Sequence, residues 1–174
     1  MRYREMNKDE LHRVTELDRR EVVEYIYYLQ NNKLELKKVD WTVPEWSDVQ
    51  KTKFHQNLLK VHQRGGFIVG AFDDAHIAGI IALGQKFFGR NMEHLELSGL
   101  WVSQPYRNQG VGKHLVNLVK QKAKSLGAKF LYVSATESKK TVEFYMSCNF
   151  QLAKEIDPKL FKAEPEDIHM ECEL

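Results

Sequence analysis

The segment Arg107-Asn108-Gln109-Gly110-Val111-Gly112-Lys113 carries the plainest chemical signal in the chain. Two glycines let a backbone turn tightly and come close to a ligand. The residues after them recur at helical spacing. The first N–H groups of that helix therefore lack intrahelical acceptors, and its dipole favours an anion at this end. Arg107 and Lys113 add positive charge. These residue types in this order predict a site for a phosphate or pyrophosphate; the bland alternative is a tight structural turn. Two familiar phosphate loops do not fit. A P-loop needs Gly, four residues, then Gly-Lys and a hydroxyl; here Gly112-Lys113 is followed by His114, and Arg107 stands where the first glycine belongs. A dinucleotide fingerprint needs a third glycine where this chain has Leu115.

Other residues with chemical potential read more plainly. His55 and His62 lie two helical turns apart, roughly 10 Å, too far to share one metal ion, and no metal site is expected. Cys148 at a helix end could carry an acyl group in a ping-pong route. No histidine adjoins it in sequence, and a small, buried, unreactive cysteine is the commoner state.

The elements that must hold the loop follow from periodicity. Residues 94–102 read as a strand running into it, and 110–126 as a helix with Val111, Leu115, Leu118, Val119 and Leu126 on one side and Gly127 as its stop. A short apolar strand at 130–135 and a second helix at 138–148, ended by Asn149, come next. A helix between two strands implies a parallel pair. Upstream, 67–72 and 77–83 read as strands joined at Asp73-Asp74 into a hairpin. Ser47-Asp48-Val49-Gln50 has the form of a capping box, followed by Phe54, Leu58 and Val61 at helical spacing and by Gly65-Gly66 as a stop. Near the start, 2–6 reads as a strand and 8–18 as a helix capped by Asn7. Residues 22–29 and 33–37 read as two strands turning at Asn31-Asn32, in preference to one long helix. Two more strands are expected near 150–156 and 168–173. The whole is α/β: a mixed sheet with helices on both faces.

The chain has 174 residues, 43% of them hydrophobic and 29% charged, which suits one compact domain and excludes wholesale disorder. Its 26 basic and 24 acidic residues leave a formal net charge of +2, too small a field for nucleic acid. No apolar run is long enough to span a membrane, and no secretory leader is visible. Two cysteines, Cys148 and Cys172, are too few for a disulfide framework, so a reduced cytoplasmic setting is expected.

The run Leu100-Trp101-Val102-Ser103-Gln104-Pro105-Tyr106-Arg107-Asn108-Gln109-Gly110-Val111-Gly112 resembles the acetyl-CoA signature of the GNAT superfamily of N-acetyltransferases: a Leu-x-Val strand, then Arg/Gln-x-x-Gly-x-Gly/Ala. Phe144-Tyr145-Met146-Ser147-Cys148-Asn149-Phe150 is similar to that family's Phe-Tyr-x-x-x-Gly-Phe segment. The resemblance covers roughly 67–156 well and the first 65 residues in outline. It implies a mostly antiparallel sheet of about seven strands, splayed at a central parallel pair, in a single domain over 1–174. Within it, 1–65 would face the acceptor, 67–156 would hold acetyl-CoA, and 157–174 would supply a last strand region.

For chemistry the resemblance implies transfer of an acetyl group from acetyl-CoA to an amine. Leu100, Trp101 and Val102 would pair with the pantetheine arm through their backbone. Arg107, Asn108, Gln109, Gly110, Val111 and Gly112 would hold the pyrophosphate through main-chain N–H groups, with Lys113 close by. An alkyl amine with pKa near ~10.4 must lose a proton to attack. Glu96 stands where relatives carry a base; the alternative is a surface carboxylate, with His94 and Glu93 as substitutes. A strand N–H near Trp101 or Val102 would steady the developing oxyanion. Tyr145 matches the position of the donor to the leaving thiolate, and its alternative is a packed aromatic. Ser138 stands where relatives often have a cofactor-touching Asn, Thr141 replaces an Ala, and Asn149 replaces a Gly.

The implied acceptor is the primary amine of a small molecule; alternatives are a protein lysine or N-terminus, or a non-catalytic acyl-CoA sensor on the same fold. Tyr25, Tyr27, Tyr28, Trp41 and Trp46, with Asp18, Glu21, Glu24, Asp40 and Glu45, either build an acceptor wall for a cationic amine or serve as plain strand packing. Dimers are frequent among relatives, so a homodimer is an expected assembly. No nucleic acid or membrane partner is expected.

Overall fold

The computed structural model describes residues 1–31 and 33–174. Among the described residues, nine strands form two sheets. β1 (Arg2–Glu5), β4 (Phe67–Asp73), β5 (His76–Leu83), β6 (His94–Val102), β7 (Phe130–Ala135), β9 (Ile168–Glu173) and β8 (Gln151–Leu152) lie side by side in that order in a seven-stranded sheet. β2 (Glu21–Gln30) and β3 (Lys33–Val43) form a separate two-stranded sheet, tied to the rest by the Tyr27 N–H donating to Glu137 O at 2.8 Å. Every pairing in the large sheet is antiparallel except β6 with β7. That parallel pair spans the crossover helix α2 (Val111–Ser125), as the strand–helix–strand order predicts.

Helices cover both faces. On one, α2 and α3 (Lys139–Ser147) pack Leu115, Val116, Val119, Val142 and Tyr145 against Leu95, Leu97, Leu131, Val133 and Met170 of the strands. On the other, the N-terminal helix and α1 (Asp48–Gln63) pack Leu11, Val14, Leu17 and Leu58 against Ile68, Phe72 and Ile80. Ser47 caps α1, its hydroxyl accepting from the Gln50 N–H at 3.3 Å, while the Gln50 side chain accepts from the Ser47 N–H at 3.1 Å. Asp74 (φ 50°) turns the β4–β5 hairpin, Asn31 (φ 50°) begins the β2–β3 turn, and Asn149 (φ 64°) follows α3. The other half of the expected Asn31-Asn32 turn, Asn32, lies outside the described residues.

The structure departs from the expected elements in four places. Residues Lys8–Glu16 form a 3-10 helix rather than an α-helix. Leu11, Val14 and Leu17 recur every third residue and all are buried, which suits three residues per turn better than 3.6. The strand expected at 33–37 runs on to Val43. The strand expected near 150–156 pairs over Gln151–Leu152 alone. The chain then leaves the sheet for α4 (Pro158–Ala163), a helix absent from the sequence reading. Its signal was present: Asp157 accepts from the N–H groups of Lys159 and Leu160, and Pro158 takes the first helical position.

Candidate active site

The parallel pair is short. β6 and β7 pair only at His94–Phe130, Leu95–Leu131 and Glu96–Tyr132, although β6 continues to Val102 beside β5. A bulge at Ser98 sits where the two strands part, with Gly99 opposite Ala82 but Leu97 opposite Leu83. Bulges re-aim a strand in this way. The parting opens a cleft of about 900 Å³ lined by β6, the end of β7, the segment ahead of β9, α3, and the segment 17–23.

The β6 backbone has one side free for a ligand. Ser103 donates its N–H to Ala78 O at 2.9 Å, and inter-strand bonds alternate along an antiparallel pair. Trp101 therefore turns its N–H and C=O toward β5, while Leu100 and Val102 turn theirs toward the opening. The Val102 carbonyl is already taken by Arg107 Nε at 3.0 Å. Leu100 keeps both groups for an extended, amide-bearing ligand. By the same alternation, of the residues expected to supply an oxyanion donor, Val102 turns its N–H to the opening, as Leu100 does, and Trp101 does not. The Trp101 indole stands on the other side, stacked edge-on against Phe54 at 4.9 Å.

At the end of β6 the loop presents its backbone. Gly110 is left-handed (φ 82°) with open space where a Cβ would stand, so it is conformation that demands glycine there. Gly112 answers a different need: a Cβ would meet the Phe144 ring at 3.0 Å, so glycine lets α2 lie close to α3. Among the described residues, no protein acceptor takes the N–H groups of residues 108–113, and the first α2 donor bonded to the chain is His114, to Gly110 O at 3.0 Å. Six successive donors at a helix start can hold a diphosphate. Leu100, Trp101, Val102, Arg107, Asn108, Gly112 and Ser138 line the cleft, whereas Gln109, Gly110, Val111 and Lys113 lie outside its walls. Lys113 is exposed, and Val111 is buried under the sheet.

Arg107 is not a free cation. Its guanidinium donates to Val102 O (3.0 Å), Arg20 O (3.1 Å) and Asp18 O (3.4 Å) and lies 3.6 Å from Glu21. It straps the loop to the segment before β2. Ser138 is likewise engaged: its hydroxyl accepts from Thr141 N at 3.3 Å and donates to Thr141 Oγ1 at 2.9 Å, capping α3. That hydrogen bond gives Thr141 a use that an Ala would not have.

Glu96 and Tyr145 both line the cleft. Burial, helped by the charges of Glu164 and Asp157, raises the Glu96 carboxyl, which makes it a stronger base. Tyr145 is only 5% exposed, and its hydroxyl bonds to no protein group among the described residues. Burial raises it as well, keeping it protonated. The substitutes for Glu96 are occupied elsewhere. His94 is stacked on Phe130 and 3.3 Å from Glu171, and Glu93 is paired with Lys129. Cys148 is buried, its thiol raised by desolvation, and it does not line the cleft.

Of the expected acceptor wall, Asp18, Glu21, Trp41 and Trp46 reach the cleft. Tyr25, Tyr27, Tyr28, Glu24, Asp40 and Glu45 do not. Tyr27 instead donates to Glu143 at 3.3 Å, and Tyr25 lies under Lys139. Sequence reasoning missed Glu137, Glu164 and Asp167 on the opposite wall. The run Glu164-Pro165-Glu166-Asp167 ahead of β9 was the available signal.

Comparison with known proteins agrees with this geometry. The model of the acetyltransferase (GNAT) family matches residues 20–150. No curated protein sequence matches the chain. Among solved structures, the chain is similar to a nourseothricin acetyltransferase (TM-score 0.74, 20% identity, 99% of this chain and 97% of that one). It is also similar to a Bacillus anthracis protein assigned as a streptothricin acetyltransferase and bound to acetyl coenzyme A (0.73, 19%, 99% and 98%). An aminoglycoside 6'-N-acetyltransferase complexed with coenzyme A follows (0.61, 16%, 99% and 97%). At these identities the likeness is one of fold.

Proposed function

The chain belongs to the acetyltransferase (GNAT) family, an acyltransferase family that uses acetyl-CoA, and from that premise we propose that it acetylates the primary amine of a small molecule by direct attack in a ternary complex. The observation that carries this reading is the early parting of β6 from β7 after Glu96, beside a loop with six unused N–H groups. That arrangement fits the coenzyme: an amide-bearing arm has the open edge of Leu100, and a diphosphate has residues 108–113. The whole of 1–174 acts in this reading as one unit, with 1–65 on the acceptor side, 67–156 on the coenzyme side and 157–174 closing the cleft. The expected setting is the cytoplasm.

Acetyl-CoA, when bound, supplies an activated thioester carbonyl. Glu96 accepts the proton of the amine, directly or through water, its basicity strengthened by burial. The N–H of Leu100 or Val102 steadies the charge that develops on the carbonyl oxygen. Tyr145, buried and protonated, holds a proton for the departing sulfur; a thiol with pKa near ~8.5 leaves more readily with such help but does not require it. Cys148 takes no part, so no acyl-enzyme forms. Support for a small acceptor comes from the neighbouring structures, which are named for nourseothricin, streptothricin and aminoglycosides.

The test combines calorimetry with thiol release. Acetyl-CoA should bind with measurable heat, and some amine in a panel of aminoglycosides, polyamines, amino acids and basic peptides should release free thiol. Glu96→Gln should lower kcat by about 10²–10⁴-fold while leaving coenzyme affinity in place, and Tyr145→Phe should act in the same direction. No heat with acetyl-CoA refutes the reading. Heat without thiol release, unchanged in both variants, makes the protein a sensor instead.

A further inference from the structure

The inference below rests on the acetyl-transfer reading and narrows its acceptor. The carboxylates lining the cleft fall into two sets. Asp18 and Glu21, beside the loop, are matched by cations: Asp18 holds Arg20 at 2.7 Å, and Glu21 lies 3.6 Å from Arg107 and 4.0 Å from Lys140. Glu96, Glu137, Glu164 and Asp167 line the side built by β6, the segment after β7 and the segment ahead of β9. Among the described residues, none of these four has a lysine or arginine partner. The cationic residues that reach the cleft are turned away. Arg19 donates to Pro44 O at 2.9 Å, Lys140 to Val22 O at 3.2 Å, and Arg20 and Arg107 are held by Asp18 and by backbone carbonyls.

Unpaired carboxylates gathered in a cleft repel one another. Desolvation and the neighbouring Glu164 push the Asp167 carboxyl up to about 7, with Glu137 adding to the effect. Glu164 is exposed and Glu96, Glu137 and Asp167 are half-buried, so the repulsion acts across an open cleft, and a positive group among them relieves it. A metal ion does not fit, since no three His, Cys, Asp or Glu residues among those described converge closely enough to hold one. Independently, the Tyr145 hydroxyl, on a side chain 5% exposed and without a protein partner, faces the same space and feels the charge of Asp167. An unpartnered hydroxyl at the cleft end of an otherwise buried side chain is a group that a polar ligand can reach.

The reacting amine alone does not complete the set. It arrives as an ammonium but gives its proton to Glu96 in order to react, so a monoamine leaves Asp167, Glu164 and Glu137 without a lasting counter-charge. We propose that the acceptor carries a second, non-reacting ammonium or guanidinium group, held by Asp167, Glu164 and Glu137 while the first amine reacts beside Glu96. The acceptor class is thus a dication with two separated basic groups, and the acidic wall sets specificity by KM.

The experiment compares 1,5-diaminopentane with 1-aminopentane and 5-amino-1-pentanol as acceptors, by thiol release at saturating acetyl-CoA. The diamine should show a KM at least tenfold below both monoamines, an advantage that shrinks as salt rises. In Asp167→Asn and Glu164→Gln the ratio of diamine to monoamine KM should move toward one. Glu166→Gln, an exposed neighbour outside the cleft that removes the same charge, should leave that ratio alone. Calorimetry with acetyl-CoA verifies that each variant is folded. Equal KM values for diamine and monoamines in the wild type overturn this inference and leave acetyl transfer standing. If no amine of any kind releases thiol, both the inference and acetyl transfer are overturned.

Discussion

Replacing Arg107 separates two roles that predict different measurements. Its charge and its place in the loop suggest a direct partner for the pyrophosphate, yet its guanidinium is occupied by three carbonyls and lies near Glu21. Arg107→Ala strands the carbonyls of Val102, Arg20 and Asp18 and frees Glu21. A hydrogen bond from a charged donor contributes about 1.5–3 kcal/mol. The three share one side chain that is 29% exposed, so they do not add in full, and a net loss of about 2–4 kcal/mol is expected. For a chain of this length the unfolding entropy is about 0.37 kcal/mol/K, so the melting temperature should fall by about 5–10 °C. Arg107→Lys keeps the positive charge but cannot reach three separate carbonyls from one ammonium. It should therefore lose most of the same stability, whereas a phosphate partner would be largely rescued by lysine. Thermal unfolding followed by circular dichroism, paired with calorimetry of acetyl-CoA, reads both effects. A melting temperature unmoved within a degree in Arg107→Ala, with coenzyme affinity down tenfold or more, would refute the strap.

Two further perturbations test the loop and the acidic wall. Gly110→Ala places a side chain in a left-handed conformation with open space around it; the loss should be about 1–2 kcal/mol of backbone energy, seen as a drop of several degrees in thermal unfolding together with weaker coenzyme binding, and an unchanged melting temperature would show that the left-handed turn is not required. Asp167 tests linkage. Its folded pKa, about 7, lies above the ordinary aspartate value, so the folded state keeps a proton that the unfolded state has already lost. The sign is therefore a stability that declines from about pH 4 to pH 7 and then levels off. The full shift corresponds to an upper bound near ~4 kcal/mol, which solvent screening of a half-buried group reduces to about 1–2 kcal/mol. Asp167→Asn should be more stable than the wild type at pH 8 and no more stable at pH 4, by chemical denaturation; an equal difference at both pH values would count against the raised carboxyl.

Much of the architecture was legible because it is local. The start of α2 needs only Gly110 to turn left-handed and a helical run behind it. The Ser47–Gln50 box needs two residues of one segment, and the parallel β6–β7 pair follows from the helix between them. Even the misread N-terminal helix announced itself, since Leu11, Val14 and Leu17 recur every third residue rather than at the α-helical period. Glu96 and Tyr145 could be picked out by their distance from the loop motif along the chain. What could not be seen was the use to which each group is put. Arg107 looked like a free charge because its acceptors on Asp18 and Arg20 lie far off in sequence. Trp101 looked like part of the coenzyme edge because the alternation that turns its N–H toward β5 depends on the register with Ala78.

The sequence by itself determined the order of strands and helices, the glycine-bearing turn and the family signature, all set by residues within a few positions of one another. Only the tertiary structure decided how far β6 and β7 run together before parting, which carboxylates share the cleft, and which of them stay unpaired. Glu96, Glu137 and the run Glu164–Asp167 come from three separate segments. Charge and burial act through space, so their repulsion, and the cation it calls for, exist only once the sheet has brought those segments to one wall.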